Sequence, residues 1–347
     1  MSGRGTPLRE SLTGRANDVE SVDLYERSLR RSRAIGRRRA ATGAATALVI
    51  LALAGGKLWQ FIPPGPAPLP AAPAPATAIT AVPGTLFYAK PDEPSRLLRL
   101  RPGNAPTEVL ADHGAEVAVS PDGAHLAYVA DGRLMVAATG ATPRQLLTGV
   151  AEDQPLAWAP GGAKIVVNRP AGPGLADLAT GAVTPLPGDL RKGIAFRFSG
   201  DGSRIVYGVD PCRLAVAPAT GTSGTTVPVL GDPASAVNPS GIAACVPAGV
   251  DSAGTRAAVT LQGVGRSTGA VGRAPTAVVD LTTGAVLPLA VPGTVESVQF
   301  YPDGLLLVRS TAGGATVLTV SAPDGTVLVR TPEPASVRGL SLVAWTR

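Results

Sequence analysis

Two histidines and two cysteines in 347 residues leave little reactive chemistry for this chain to draw on. His113 lies in Asp112-His113-Gly114, where an acid and an imidazole adjoin as general acid/base work would require, and where a solvated loop would carry the same residues. His125 follows a Pro-Asp-Gly turn at a position held by Lys164, Arg204 or Arg256 in later segments, and it reads as an exposed turn residue. Asp122, Asp201 and Asp303 recur in one slot and could suggest a calcium or acid/base cluster. That slot is the middle of a tight turn, where Asp serves to hydrogen-bond its own backbone. Cys212 and Cys245 have no histidine or further cysteine beside them, so a disulfide or two thiols fit better than a metal centre. No Gly-x-Ser-x-Gly elbow, Walker loop, zinc signature or dinucleotide fingerprint occurs, and neither a metal nor a cofactor is expected.

The elements that would hold these residues announce themselves by repetition. Ser120-Pro121-Asp122-Gly123, Ala159-Pro160-Gly161-Gly162, Ser199-Gly200-Asp201-Gly202, Asp251-Ser252-Ala253-Gly254 and Tyr301-Pro302-Asp303-Gly304 are five versions of one phrase. Each is preceded by an apolar residue (Val119, Trp158, Phe198, Val250, Phe300) and followed by an apolar run. Their final glycines lie 39, 40, 52 and 50 residues apart, periods that belong to propeller blades. Pro presets φ, Asp bonds its own backbone and Gly accepts the left-handed conformation, so each phrase joins two strands. A second turn, Thr139-Gly140, recurs at Thr180-Gly181, Thr220-Gly221 and Thr283-Gly284, giving four short strands per unit. Pro83-Gly84-Thr85-Leu86-Phe87-Tyr88 matches the second half of the phrase and Val343-Ala344-Trp345-Thr346 its first half. One blade split between the ends would close a ring and remove its exposed edges. The expectation is an all-β fold, a six-bladed β-propeller with seven blades as the alternative count. The fifth unit departs furthest from the phrase and is expected to be irregular.

Trp158-Ala159-Pro160-Gly161-Gly162-Ala163-Lys164-Ile165-Val166 and Phe198-Ser199-Gly200-Asp201-Gly202-Ser203-Arg204-Ile205-Val206 resemble the TolB-type, WD-repeat-like propeller repeat, an aromatic followed by Ser-Pro-Asp-Gly, a basic residue and an apolar pair. The resemblance covers residues 84–347 and implies the fold; it is weak for function. The Gly-His and Trp-Asp marks of true WD repeats are missing. Propellers of the prolyl-oligopeptidase kind keep their nucleophile on a separate hydrolase domain, for which this chain has no residues left.

In front of the repeats, residues 40–62 form an apolar stretch long enough for one transmembrane helix, with Lys57 able to snorkel and Trp59 and Phe61 at the outer interface. Residues 1–39 carry ten Arg against five acids, which orients the amino terminus towards the cytoplasm. These charges account for most of the formal +6, so the pI of 9.7 reports a juxtamembrane contact with anionic lipid headgroups and not nucleic-acid binding. Asn17-Asp18-Val19-Glu20 reads as a capping box opening a short helix, and this acidic run before an Arg cluster resembles the amino termini of actinobacterial membrane proteins. Gly56 stands where a lipoprotein needs Cys, and the charged region is too long for a secretory signal, so an uncleaved anchor is expected. Residues 63–83 are nearly all Pro and Ala, a spacer that at about 3.1 Å per residue reaches roughly 65 Å.

On the blade template Cys212 falls between the second and third strands of the fourth unit and Cys245 just before the inner strand of the fifth, on one face of the ring. In an oxidising compartment a disulfide Cys212–Cys245 is expected there. The same face carries the longer loops and, in them, the candidate ligand or partner residues Asp112, His113, Glu152, Asp153, Arg169, Asp189, Arg191, Lys192, Asp210, Arg213, Arg266, Arg273, Glu333 and Arg338. With no catalytic motif, the residues favour a cell-membrane protein presenting a non-catalytic binding, scaffolding or sensing propeller outside the membrane to a protein, peptide or cell-wall component. Two alternatives stay open: a hydrolase or lyase using Asp112, His113 and Glu152 in a central funnel, and an envelope sensor coupled to a cytoplasmic regulator.

Overall fold

The recurring phrase folds as its chemistry dictates. Ser120 Oγ donates to Asp122 Oδ1 at 2.6 Å, and the His125 amide donates to Ser120 Oγ at 2.8 Å, pinning both sides of the turn. Ser199, Asp201 and Arg204 repeat the pattern at 2.6 and 3.0 Å. In the divergent fifth phrase one buried carboxylate performs both tasks. Asp251 Oδ1 accepts from the Thr255 and Arg256 amides at 2.7 and 3.0 Å, and Oδ2 takes the Arg256 guanidinium at 3.0 Å. Asp201 is held below the usual carboxylate range by the Ser199 hydroxyl and then by the Ser203 amide. For Asp122 burial works in the opposite direction, but the Ser120 hydroxyl and the Ala124 amide outweigh it and lower its pKa.

A computed structural model describes residues 81–90, 96–111, 117–210, 212–228, 242–263 and 274–347. The expected cytoplasmic segment (1–39), membrane helix (40–62) and nearly all of the spacer (63–83) lie outside the described residues. Among those described, no helix is long and apolar enough to cross a membrane.

Six four-stranded antiparallel sheets are found among the described residues, one per blade. From the inner strand outwards, blade two runs Ala118–Val119, His125–Ala130, Arg133–Ala138 and Arg144–Thr148. The inner strands of blades three to six are Ala157–Trp158, Ile194–Phe198, Pro247–Val250 and Thr294–Phe300. Blade one takes its inner strand, Ser341–Thr346, from the carboxyl end and its second, Thr85–Ala89, from the amino end of the repeats, with Leu86 opposite Trp345. Six blades and the split unit are therefore both realised. The fifth unit is irregular, as expected: Ile242–Ala243 and Gln262–Gly263 add a two-stranded sheet beside it.

Each blade is buried on both faces. The second strand of blade two sends Leu126 and Tyr128 towards blade one and Ala127 and Val129 towards blade three, so four consecutive residues are buried. Six apolar clusters result, one at each blade-to-blade interface. The phrase aromatics serve the same interfaces. Trp158 donates its indole N–H to the Ala118 carbonyl of blade two at 3.1 Å, and Trp345 donates to Pro83 at 2.6 Å while lying 4.6 Å from the Tyr301 ring. His125 is half-buried, 6.3 Å from Trp158, and so is not the open turn residue its position suggested.

Candidate functional site

Because neighbouring strands in a blade are antiparallel, the turns between second and third strands and the connections between blades emerge at one end of the ring, the loop face. The phrases emerge at the other, the turn face. Glu152 and Asp153 lie between blades two and three; Asp189, Arg191 and Lys192 lie in the short 3-10 helix Gly188–Lys192 between three and four; Arg338 follows the helix Ala335–Val337 between six and one. Arg169, Asp210 and Arg213 flank second-to-third-strand turns. All nine belong to the loop face and all but half-buried Arg213 are exposed. Asp112, His113, Arg266 and Arg273 lie outside the described residues. The nine are spread around the ring, and Glu152 is the one among them that lines the central cavity.

Glu333 behaves differently. Its connection is on the loop face, but its side chain turns inwards and is 2% exposed, gripped by Arg309 through Nε–Oε1 and Nη2–Oε2 contacts of 2.8 Å each. Arg309 Nη1 also meets Glu296 Oε2 at 2.7 Å, and Thr311 donates its hydroxyl to Glu296. Burial opposes the charge on Arg309, yet Glu333 and Glu296 hold its pKa above the usual value. Burial and the neighbouring Glu333 carboxylate push the Tyr88 phenol well above its ordinary range. Glu333 is thus a structural partner in the seam between blades six and one and not a surface for ligands. A buried carboxylate needs such pairing, and among the described residues Arg309, on the second strand of the same blade six, supplies it.

The central cavity, about 260 Å³, touches all six inner strands; its wall includes Ala118, Trp158, Phe198, Gly249, Phe300 and Ala344. An inner strand has no neighbour on the axis side, so its edge presents backbone N–H and C=O groups to the lumen. Arg197 answers three of those carbonyls. Its Nε donates to Ala248 at 3.0 Å, and Nη1 donates to Phe196 at 2.7 Å and Leu156 at 3.2 Å, tying blades three, four and five together. It is the sole cation among the described lining residues, with Glu152 the sole acid. A bulge positions it: pairing shifts between Ile194 and Arg197, and buried Ala195 takes φ of 52°. Sequence reasoning passed over Arg197; the signal was a charge between two aromatics, Phe196-Arg197-Phe198, in a strand otherwise fit for burial.

At the turn face the phrases of blades four and six meet. A Cβ on Gly200 would lie 2.1 Å from the Pro302 carbonyl, so glycine is required where other phrases carry Pro121 or Pro160. The Gly200 and Asp201 amides also donate to the Asp251 and Ser252 carbonyls of blade five at 3.2 and 3.0 Å. The cavity, a funnel through the ring, is lined from Glu152 and Gln154 on the loop face to Pro121, Pro160 and Pro302 at the phrases. On the loop face Cys212 and Cys245 form the expected disulfide, Cα atoms 4.2 Å apart, joining the second-to-third-strand turn of blade four to the entry of blade five.

No family model matches the chain, and no curated protein matches it. Among solved structures it is similar to TolB from Acinetobacter baumannii, at 18% identity and a TM-score of 0.48 over 75% of this chain and 67% of that one. It is also similar to a chain of a nidogen/laminin complex, at 11% identity and a TM-score of 0.45 over 76% and 99%. A prolyl endopeptidase structure is similar at 14% identity and a TM-score of 0.39 over 73% of this chain and 42% of that one. By the six sheets of its described residues the chain is a six-bladed β-propeller.

Proposed function

We propose that this protein is a single-pass membrane protein, amino terminus in the cytoplasm, that presents its propeller outside the cell as a non-catalytic binding module. Its partner, a protein, peptide or cell-wall component, enters the funnel from the loop face. The observation that carries this reading is the funnel itself. All six inner strands contribute to one cavity whose wall mixes aromatic side chains (Trp158, Phe198, Phe300) with polar groups and backbone edges, a lining that suits an extended segment. The Arg excess over residues 1–39 and the uncharged run that follows support the topology.

Photo-crosslinking in intact cells, with purification and mass spectrometry, tests the reading directly. Gln154 lines the funnel in the connection between blades two and three, and Gln154→Trp should block the lumen. Partners captured by the unmodified chain should be lost from this variant at unchanged melting temperature. Equal capture by both would refute the funnel as the binding site. In protoplasts, external protease should remove the propeller and leave the amino terminus protected; release of a soluble propeller beginning near Gly55 would refute the anchor.

A further inference from the structure

We propose that the Cys212–Cys245 disulfide is the device that positions Arg197 in the funnel wall, so that thiol–disulfide exchange at this bond moves the funnel's cation. Between Arg197 and the Ala248 carbonyl it donates to, the sheet ladder does not fix the distance. Pairing in blade four shifts between Ile194 and Arg197, and pairing in blade five shifts between Pro247 and Gly249, leaving Ala248 at the irregularity. Ala248 itself is skipped by the ladder, whose flanking pairs are Pro247–Val259 and Gly249–Ala258, and the chain just upstream bears on its position too. Three residues earlier Cys245 is bonded to Cys212 of blade four, and the Cys245 carbonyl rests on Gly208 so closely that a Cβ there would lie 2.2 Å from it. The same missing Cβ would meet Ile194 at 3.0 Å, the residue from which the bulge carrying Arg197 departs. Gly208 is therefore the common seat of both halves of the Arg197–Ala248 contact, and the disulfide presses one half onto it.

The bond is within reach of a reagent, since both cysteines are half-buried on the loop face. A thiolate of a dithiol reductant attacks one sulfur, the second thiol resolves the mixed disulfide, and two electrons and two protons pass to Cys212 and Cys245 as the reductant becomes a disulfide. Cys212 sits at φ of 90°, a backbone conformation that only tight constraint maintains for a side chain of this kind, so the opened turn has a reason to relax. Blade five's entry then lifts from Gly208, Ala248 moves away, and the guanidinium loses its Nε partner while Nη1 stays on Phe196 and Leu156, leaving it freer to reach the lumen. The functional meaning of this movement rests on the funnel reading above; the movement itself does not.

Arginine-selective modification of the full chain in detergent, with p-hydroxyphenylglyoxal and peptide mass spectrometry, measures the release. Arg309, held by Glu333 far from the disulfide, is the internal control. Reduction with dithiothreitol should raise the rate at Arg197 on the order of tenfold, the equilibrium factor for losing one hydrogen bond to a charged group, and leave Arg309 unchanged. No change at Arg197 overturns the proposal. If both arginines become reactive the whole ring has loosened, and Gly208→Ala with the disulfide intact then decides: a selective rise at Arg197 upholds the coupling, and an unchanged rate overturns it. Loss of capture in Gln154→Trp bears on the funnel alone, so the two readings fail separately.

Discussion

Truncating Trp345 tests the closure of the ring at the point where it is made. The indole is 3% exposed, lies 4.6 Å from the Tyr301 ring, and donates its N–H to Pro83 at 2.6 Å, so one side chain touches blade six, the closing strand and the chain entering blade one. Replacing a buried Trp by Ala costs about 3–5 kcal/mol in transfer and cavity terms. The Pro83 carbonyl, left in the seam, adds about 1 kcal/mol. For a domain of this size each kcal/mol lowers the melting temperature by about 2–4 °C, so Trp345→Ala should lose roughly 8–24 °C. Trp345→Phe keeps most of the packing and loses the hydrogen bond, and it should fall only a few degrees. Deletion of Leu340–Arg347 removes the whole inner strand of blade one, exposes the edge of Thr85–Ala89, and should produce aggregation. Circular dichroism melting with light scattering reads all three variants. If Trp345→Ala melts within 2 °C of the unmodified chain, roughly what 1 kcal/mol moves, the indole is not what seals the ring.

The seam between blades six and one offers two further tests. Glu333→Ala leaves the buried Arg309 with Glu296 as its remaining carboxylate and should cost about 3 kcal/mol, the lower end for breaking a buried pair, whereas the double variant Arg309→Met/Glu333→Leu should recover most of the loss, as read by urea unfolding; equal loss in both would mean that the pair is not the cause. The phenol of Tyr88 has a raised pKa in the folded state, so its contribution is present below about pH 10 and is lost as pH rises further, and Tyr88→Phe should flatten the alkaline fall in melting temperature. Asp201 has a depressed pKa, so its contribution is present above the unfolded value near pH 3.9 and is lost as pH falls below it. Asp201→Asn should make melting less sensitive to acid between pH 5 and 3, and an unchanged slope would refute the turn's share in acid unfolding.

The repeat was legible because its determinants are local. Pro-Asp-Gly builds the same turn wherever it stands, and the apolar residue before it is placed by strand alternation alone, so Val119, Trp158, Phe198, Val250 and Phe300 all end inner strands. The split blade was legible for the same reason, since half a phrase at each end has one way to be completed. So was the disulfide, because the blade template already assigned both cysteines to one face.

Side-chain direction and partnership across blades were not. The positions of Glu333 and Glu152 in their connections look alike in sequence, yet one carboxylate is drawn inwards by Arg309, two strands back in the blade it has just left, and the other stands at the central cavity. Arg197 reads as a stray charge in an apolar strand until the ring brings the Leu156 and Ala248 carbonyls from flanking blades within its reach. Turn chemistry and strand period act over a few residues and are written in the chain. The pairing of a buried charge depends on which strands and blades come together, within blade six for Glu333 and across three blades for Arg197, and there the tertiary structure alone decides.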